Sequence, residues 1–171
     1  MRVEAPIKVD RKTKKLAKRL SAGEIAVINH IDIDEVAANS LVERKIKLVI
    51  NAAPSISGRY PNKGPKILID NNILIIDNVG ENVFEELKEG QVIEVNNGQI
   101  YRDGQFIGSG EVMDKSVVEK RTQIAYENMS VELDRFIDNT IEYAKREKGF
   151  ILGETEIPKM TTNYKDRHVL V

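Results

Sequence analysis

Three short apolar runs constrain the fold of this chain more than any other feature. They are Glu24 to Asn29 (Glu-Ile-Ala-Val-Ile-Asn), Ile46 to Ile50 and Ile73 to Ile76, with segments of helical periodicity between them. Each run is too short for a helix and too uniformly apolar for a half-exposed strand, so each predicts a strand buried on both faces. Between the first two, Val36, Ala37, Ser40 and Leu41 recur at three and four residues, which predicts a helix capped by Asp32 or Asp34 and closed by Lys45. A second short helix is expected around Pro65 to Asn71. Strand, helix, strand, helix, strand in this order calls for parallel pairing with right-handed crossovers. Upstream, Val3 to Leu20 reads as a short extended piece and then a helix from about Asp10, its N-cap, until Ala22-Gly23 breaks it.

Downstream the pattern changes. Gly80 to Glu89 predicts a short acidic helix or turn, and Val92 to Val95 a strand. Asn97-Gly98 and Asp103-Gly104 are hairpin signals that link it to Gln99–Arg102 and Gln105–Ile107. A β-meander thus completes a small α/β domain near Gly110. From Asp114 to about Lys148 runs one helical pattern without proline or glycine. Its stripe comprises Val118, Arg121, Ala125, Met129, Leu133, Phe136, Ile137, Ile141 and Ala144. Such a helix spans about 50 Å, more than a domain of this size offers. Part of the stripe therefore needs another partner: a second chain, or the open face of the domain if the helix folds back with a bend near Asn128. Ile124, Met129, Leu133, Phe136, Ile137 and Ile141 are the candidate self-association residues.

The loop Asn51 to Pro65 (Asn-Ala-Ala-Pro-Ser-Ile-Ser-Gly-Arg-Tyr-Pro-Asn-Lys-Gly-Pro) has a composition that packing alone does not demand. It follows a strand, and ligands of open α/β sheets sit outside the carboxyl ends of strands. One reading is anion or nucleotide binding. Backbone N–H groups near Ser57-Gly58 and at the helix start near Gly64 and Pro65 would cradle a phosphate. Arg59 would add a bidentate contact, Ser55 and Ser57 hydroxyls, and Tyr60 and Asn62 further contacts. Asp77 and Asn78 follow the next strand and would share a polar cleft with Asn51 and Asn29; Asp77 could equally cap the turn before Gly80. The other reading is a rigid docking loop, whose prolines cut the ordering cost. No standard phosphate motif is present.

The 171 residues are 41% hydrophobic and 31% charged, suited to one core with appendages. There is no cysteine and there are two histidines, His30 and His168, so thiolate chemistry is excluded and no metal site is expected. His30, near Asp32 and Asp34, is an acid/base candidate only in name; no catalytic residue is assigned. Residues 1–20 hold eight Lys/Arg and two acids, a charge of +6 in a chain whose net charge is −1. This arm is either a solvated helix face, with Lys12, Lys15 and Arg19 on one side, or a contact for nucleic acid or another anion. The absence of stacking aromatics disfavours nucleic acid.

Asp10-Arg11-Lys12-Thr13-Lys14-Lys15-Leu16, the Asn51 to Asn62 block, Asp77-Asn78-Val79-Gly80 and Arg167-His168-Val169-Leu170-Val171 together resemble the SteA family of bacterial cytokinetic-ring proteins. Members of that family are larger. A thiamine pyrophosphokinase-like domain follows the strand that begins like Arg167 to Val171. The resemblance implies a fragment: a non-catalytic interaction module in the cytoplasm, membrane-associated only through the missing part. It implies no cofactor here, with ATP reserved for the missing half. To the second copy that the long helix calls for, the resemblance adds the protein's own C-terminal domain and a membrane protein of division as partners. The strand and loop order also looks like the swivelling β/β/α phosphohistidine domain, but no histidine stands near Gly64, where the phosphoryl carrier would lie. The expected organisation is a basic segment and helix over 1–22, a swivelling β/β/α-like domain over 23–112, a long helix over 113–150, and a linker with the start of a further domain over 151–171.

Overall fold

The computed structural model describes residues 2–154. The expected strand start at Arg167–Val171 and the irregular stretch around Pro158 lie outside the described residues. Two compact units are present, residues 1–132 and 133–171.

The first unit is α/β, a parallel βαβ core plus a β-meander, as the sequence predicts. Its strands are β1 (Arg2–Val9), β2 (Ile25–Ile28), β3 (Leu48–Asn51), β4 (Leu74–Asp77), β5 (Val92–Asn96), β6 (Gln99–Arg102), β7 (Gln105–Ser109) and β8 (Glu111–Met113). The helices are α1 (Thr13–Ala17), α2 (Glu35–Val42), α3 (Gly64–Asp70) and α4 (Glu81–Glu86), followed by the long α5 (Lys115–Ile151). The sheet order is β7-β6-β5-β1-β2-β3-β4-β8. Strands β1 to β4 run parallel, while β5 and β8 join antiparallel at either side. The outermost strands β7 and β8 are separated in sequence only by Gly110, whose N–H donates to Gly98 O at 2.9 Å. The sheet therefore curls enough to bring the end of β7 beside the start of β8. A Cβ on Gly110 would lie 2.6 Å from Asp77 O, so only glycine fits at this junction.

The curled sheet has two apolar faces, which explains the unbroken runs in β2, β3 and β4. Inward-facing Ile25, Leu48, Ile50 and Ile76 meet Phe84 and Leu87 near α4. Outward-facing Ala26, Ile28, Val49 and Ile75 are covered by α1–α3, through Leu16, Leu41 and Leu68, and by Val118 of α5. The Asn97-Gly98 and Asp103-Gly104 turns have positive φ at both residues, the backbone that a two-residue hairpin needs.

Several expectations need correction. Of the 1–22 segment, expected apart from the 23–112 domain, Arg2–Val9 form β1 at the heart of the sheet, between β5 and β2, and α1 packs on its outer face. Pro6 hid the central position of this extended piece, because proline is unsuited to a central strand. It is tolerated at a changeover: Arg2 to Pro6 pair with β5, and Ile7 to Val9 pair with β2. Asp10 does not cap α1. Its carboxylate accepts from Lys12 N at 2.9 Å, and Lys12 occupies the cap position. In α2, Asp34 is the cap, accepting from Ala37 N at 2.7 Å, but Val36 is 76% exposed rather than packed. Arg121 is no part of an apolar stripe, since it pairs with Asp77 and Glu111.

Half of the basic residues of the arm are paired from within. Arg2 pairs with Glu94, Lys8 and Arg19 with Glu89, and Arg11 with Glu81 and Glu85. Among the described residues, no helix is long and apolar enough to cross a membrane.

Helix α5 is capped by Asp114, whose carboxylate accepts from Val117 N at 2.8 Å. Within the first unit it buries Val118 and Ala125. In the second unit Leu133, Phe136, Ile137 and Ile141 are 54, 66, 45 and 47% exposed.

Candidate functional site

The parallel strands deliver Asn29-His30 from β2, Asn51 from β3 and Asp77-Asn78 from β4 to one sheet edge, as expected. What gathers there is a buried string of hydrogen bonds. Asn51 accepts from His30 N at 2.9 Å and donates to His30 O and to Ser55 Oγ, both at 2.8 Å. Ser55 in turn donates to Asp77 Oδ1 through its N–H at 2.9 Å and its hydroxyl at 2.6 Å. Arg121 of α5 closes the string on Asp77 Oδ2 at 3.1 Å.

Asn51, Ser55 and Asp77 are all 0% exposed. Burial lifts the Asp77 carboxyl above its ordinary value, against the hydrogen bonds from Ser55 and the Arg121 charge. These three side chains spend their polar atoms on one another, on the His30 backbone and on Arg121. They tie the loop to the strand ends instead of facing outward.

The rest of the loop is pinned from several directions. Asn62 donates to Ile33 O at 3.0 Å and to Ser55 O at 2.8 Å. The N–H and hydroxyl of Ser57 donate to the two carboxylate oxygens of Asp32, at 2.6 and 2.7 Å. Gly58, at φ +86°, offers its carbonyl to Asn128 Nδ2 at 2.9 Å. Gly64 lies so close to the chain before α2 that a Cβ would stand 2.0 Å from Ile33 O. Its role is close backbone contact. Arg59 and Tyr60 remain at an exposed tip, and Asn78 is exposed with φ +55°. A small cavity of about 280 Å³ brings Ser57, Gly58 and Asn78 together with Arg121 and Ile124.

No family model matches the chain, and no curated protein matches it. Among solved structures it is similar to the crystal structure of 3-isopropylmalate dehydratase (leuD) from Methanocaldococcus jannaschii. The identity is 12% and the TM-score 0.41, over 79% of this chain and 99% of that one. A likeness at that level assigns no activity.

Sequence reasoning missed a sizeable cleft of the first unit. It has a volume of about 720 Å³ and lies at the carboxyl ends of β1 and β2, bordered by Lys12, Lys14, His30, Ile31 and Val36. The signal was the apolar Ile31, in the loop three residues past the end of β2 and 62% exposed, with exposed Val36 nearby. Most polar groups there already have partners. His30 Nδ1 lies 2.9 Å from Thr13 Oγ1, Asn29 donates to Glu81, and Arg11 pairs with Glu81 and Glu85. No group of three or more metal-ligating side chains occurs among the described residues.

Proposed function

We propose that this chain is an interaction and self-association module, non-catalytic, of a SteA-like division or envelope protein acting in the cytoplasm. The observation that supports this reading is the distal half of α5. Leu133, Phe136, Ile137 and Ile141 stand at helical spacing and are roughly half or more exposed. A surface stripe of this kind is ordinarily covered by a partner, and a helix rarely stands alone without one. The first partner is a second copy. The pinned loop ending in Arg59 and Tyr60 suits a docking role, because a rigid tip pays little ordering entropy on binding. Its partner would be a thiamine pyrophosphokinase-like domain of the same protein or a membrane protein.

Light scattering across a concentration series tests this reading, with Leu133→Asp/Ile137→Asp alongside. A dimer that becomes a folded monomer in the variant is the expected result. A monomer in both would refute self-association.

A second reading, a phosphate- or nucleotide-binding module, draws on the cleft near Lys12 and Lys14, whose size suits a small ligand. ATP and thiamine phosphates are the probes. Ligand at a hundred times its dissociation constant stabilises by about 2.7 kcal/mol, so an unchanged melting temperature at saturating concentrations would dispose of that reading.

A further inference from the structure

The residues flanking the exposed stripe of α5 select an orientation for the pairing. At about 100° per residue, Leu133, Ile137, Thr140 and Ala144 lie along one seam of the helix. Ile141 borders it on one side and Phe136 on the other. Asp134 and Asp138 follow the Ile141 side in the first part of the unit, and Lys145 and Lys148 follow that same side in the last part. All four charged residues are exposed, and they form no ion pair among the described residues. The opposite flank carries Asn139 and Tyr143, with Arg146 already against Glu147 and the Tyr143 ring.

In a parallel pair each flank meets the other flank of its partner, so Asp134 and Asp138 would face Asn139 and Tyr143. In an antiparallel pair each flank meets its own counterpart reversed. Acidic and basic ends then come opposite each other twice over. We infer that two copies pair antiparallel through residues 133–151, centred between Thr140 and Ile141. That centre sets Ile137 against Ala144, a large residue against a small one, and sets Leu133 beside Lys148, whose aliphatic stem can cover it. This inference rests on the self-association reading and adds its direction and register.

The chain contains no cysteine, so single cysteines report the geometry directly. The experiment uses the whole chain under oxidising conditions, with each variant first confirmed as a dimer by light scattering under reduction. Disulfides need Cα atoms within about 7 Å. In the antiparallel register, Leu133 of one copy stands about 22 Å along the axis from Leu133 of the other. Leu133→Cys alone should therefore stay uncrosslinked, whereas Leu133→Cys mixed with Lys148→Cys should yield covalent dimer, as should Thr140→Cys alone.

A charge swap supplies the second arm. Asp134→Lys/Asp138→Lys and Lys145→Glu/Lys148→Glu should each weaken the homodimer several-fold, and the mixture should recover a heterodimer. Efficient crosslinking of Leu133→Cys and of Ala144→Cys, each with itself, would overturn the antiparallel assignment while leaving self-association intact. A wild-type chain that stays monomeric at every concentration would remove both.

Discussion

Ser55 and Leu133 each do the opposite of what their chemistry suggests. The serine, with Asn51 and Asp77, has the makings of a polar site, yet all three are buried and hydrogen-bonded to one another. The leucine, with Phe136 and Ile137, has the makings of a core, yet all three are exposed. Polar groups taken out of water must find partners, and at the strand ends they find them in the loop itself. Apolar groups left in water gain by finding partners elsewhere. The loop after β3 therefore reads as the rigid support of a surface, and distal α5 as a surface in its own right. The contrast implies that substitutions in the first region act on stability, whereas those in the second act on association.

The sharpest way to break this comparison is Asp77→Ala. It leaves the Ser55 N–H and hydroxyl without their acceptor and removes one partner of Arg121. Loss of one member of a buried charged network costs about 3 kcal/mol, so the urea midpoint should fall sharply. If Asp77 instead serves a ligand, its loss will leave the midpoint close to wild type. Next in size is Gly64→Ala, which drives a methyl group into Ile33 O. Overpacking against backbone costs about 1–3 kcal/mol. Thermal melts should show the loss, and an unshifted melt would mean that the α3 start is not held against the chain before α2.

A smaller effect separates burial from pairing at Asp77. Because burial lifts its carboxyl above the ordinary value, the folded state holds that proton more tightly than the unfolded chain. Its contribution to stability is then constant below the ordinary carboxylate value and declines as pH rises towards the raised one. Asp10 and Glu89 act in the opposite sense. A backbone N–H donated to Asp10 and the Arg19 guanidinium beside Glu89 hold these carboxyls low, so their contribution is lost as pH falls. Asp77→Asn keeps an acceptor for Ser55 and deletes only the first trend. The stability difference between wild type and this variant should shrink with rising pH. If it grows instead, the Arg121 ion pair outweighs burial.

How much of this was legible follows from which physics was local. Strands β2, β3 and β4 announced themselves because both their faces are covered. The Asn97-Gly98 and Asp103-Gly104 turns did so because their backbone admits few other residues. The extended piece at β1 was expected, but its central place in the sheet escaped because Pro6 argues against a central strand, and only the register shows why a proline is tolerated there. Strand β8 escaped because it is three residues long. At the site, the meeting of Asn51, Ser55 and Asp77 could be anticipated from parallel pairing. Their burial could not, and neither could the Arg121 partner of Asp77, which arrives from a helix far along the chain.

The smallest expected effect on stability is also the most discriminating. Arg59 and Tyr60 are exposed at the loop tip, and Leu133 and Ile137 are exposed on α5. Exposed substitutions of this kind change stability by less than about 0.5 kcal/mol. Arg59→Ala/Tyr60→Ser and Leu133→Asp/Ile137→Asp should therefore melt within that margin of wild type in the transition of the first unit. Only the second variant should change the solution mass. If the loop variant instead lowers the melting temperature by several degrees, the tip is packed and the loop is not a presented surface. If the helix variant does so, the distal stripe is covered within a single chain. Each outcome would erase one side of the contrast between a buried polar support and an exposed apolar surface.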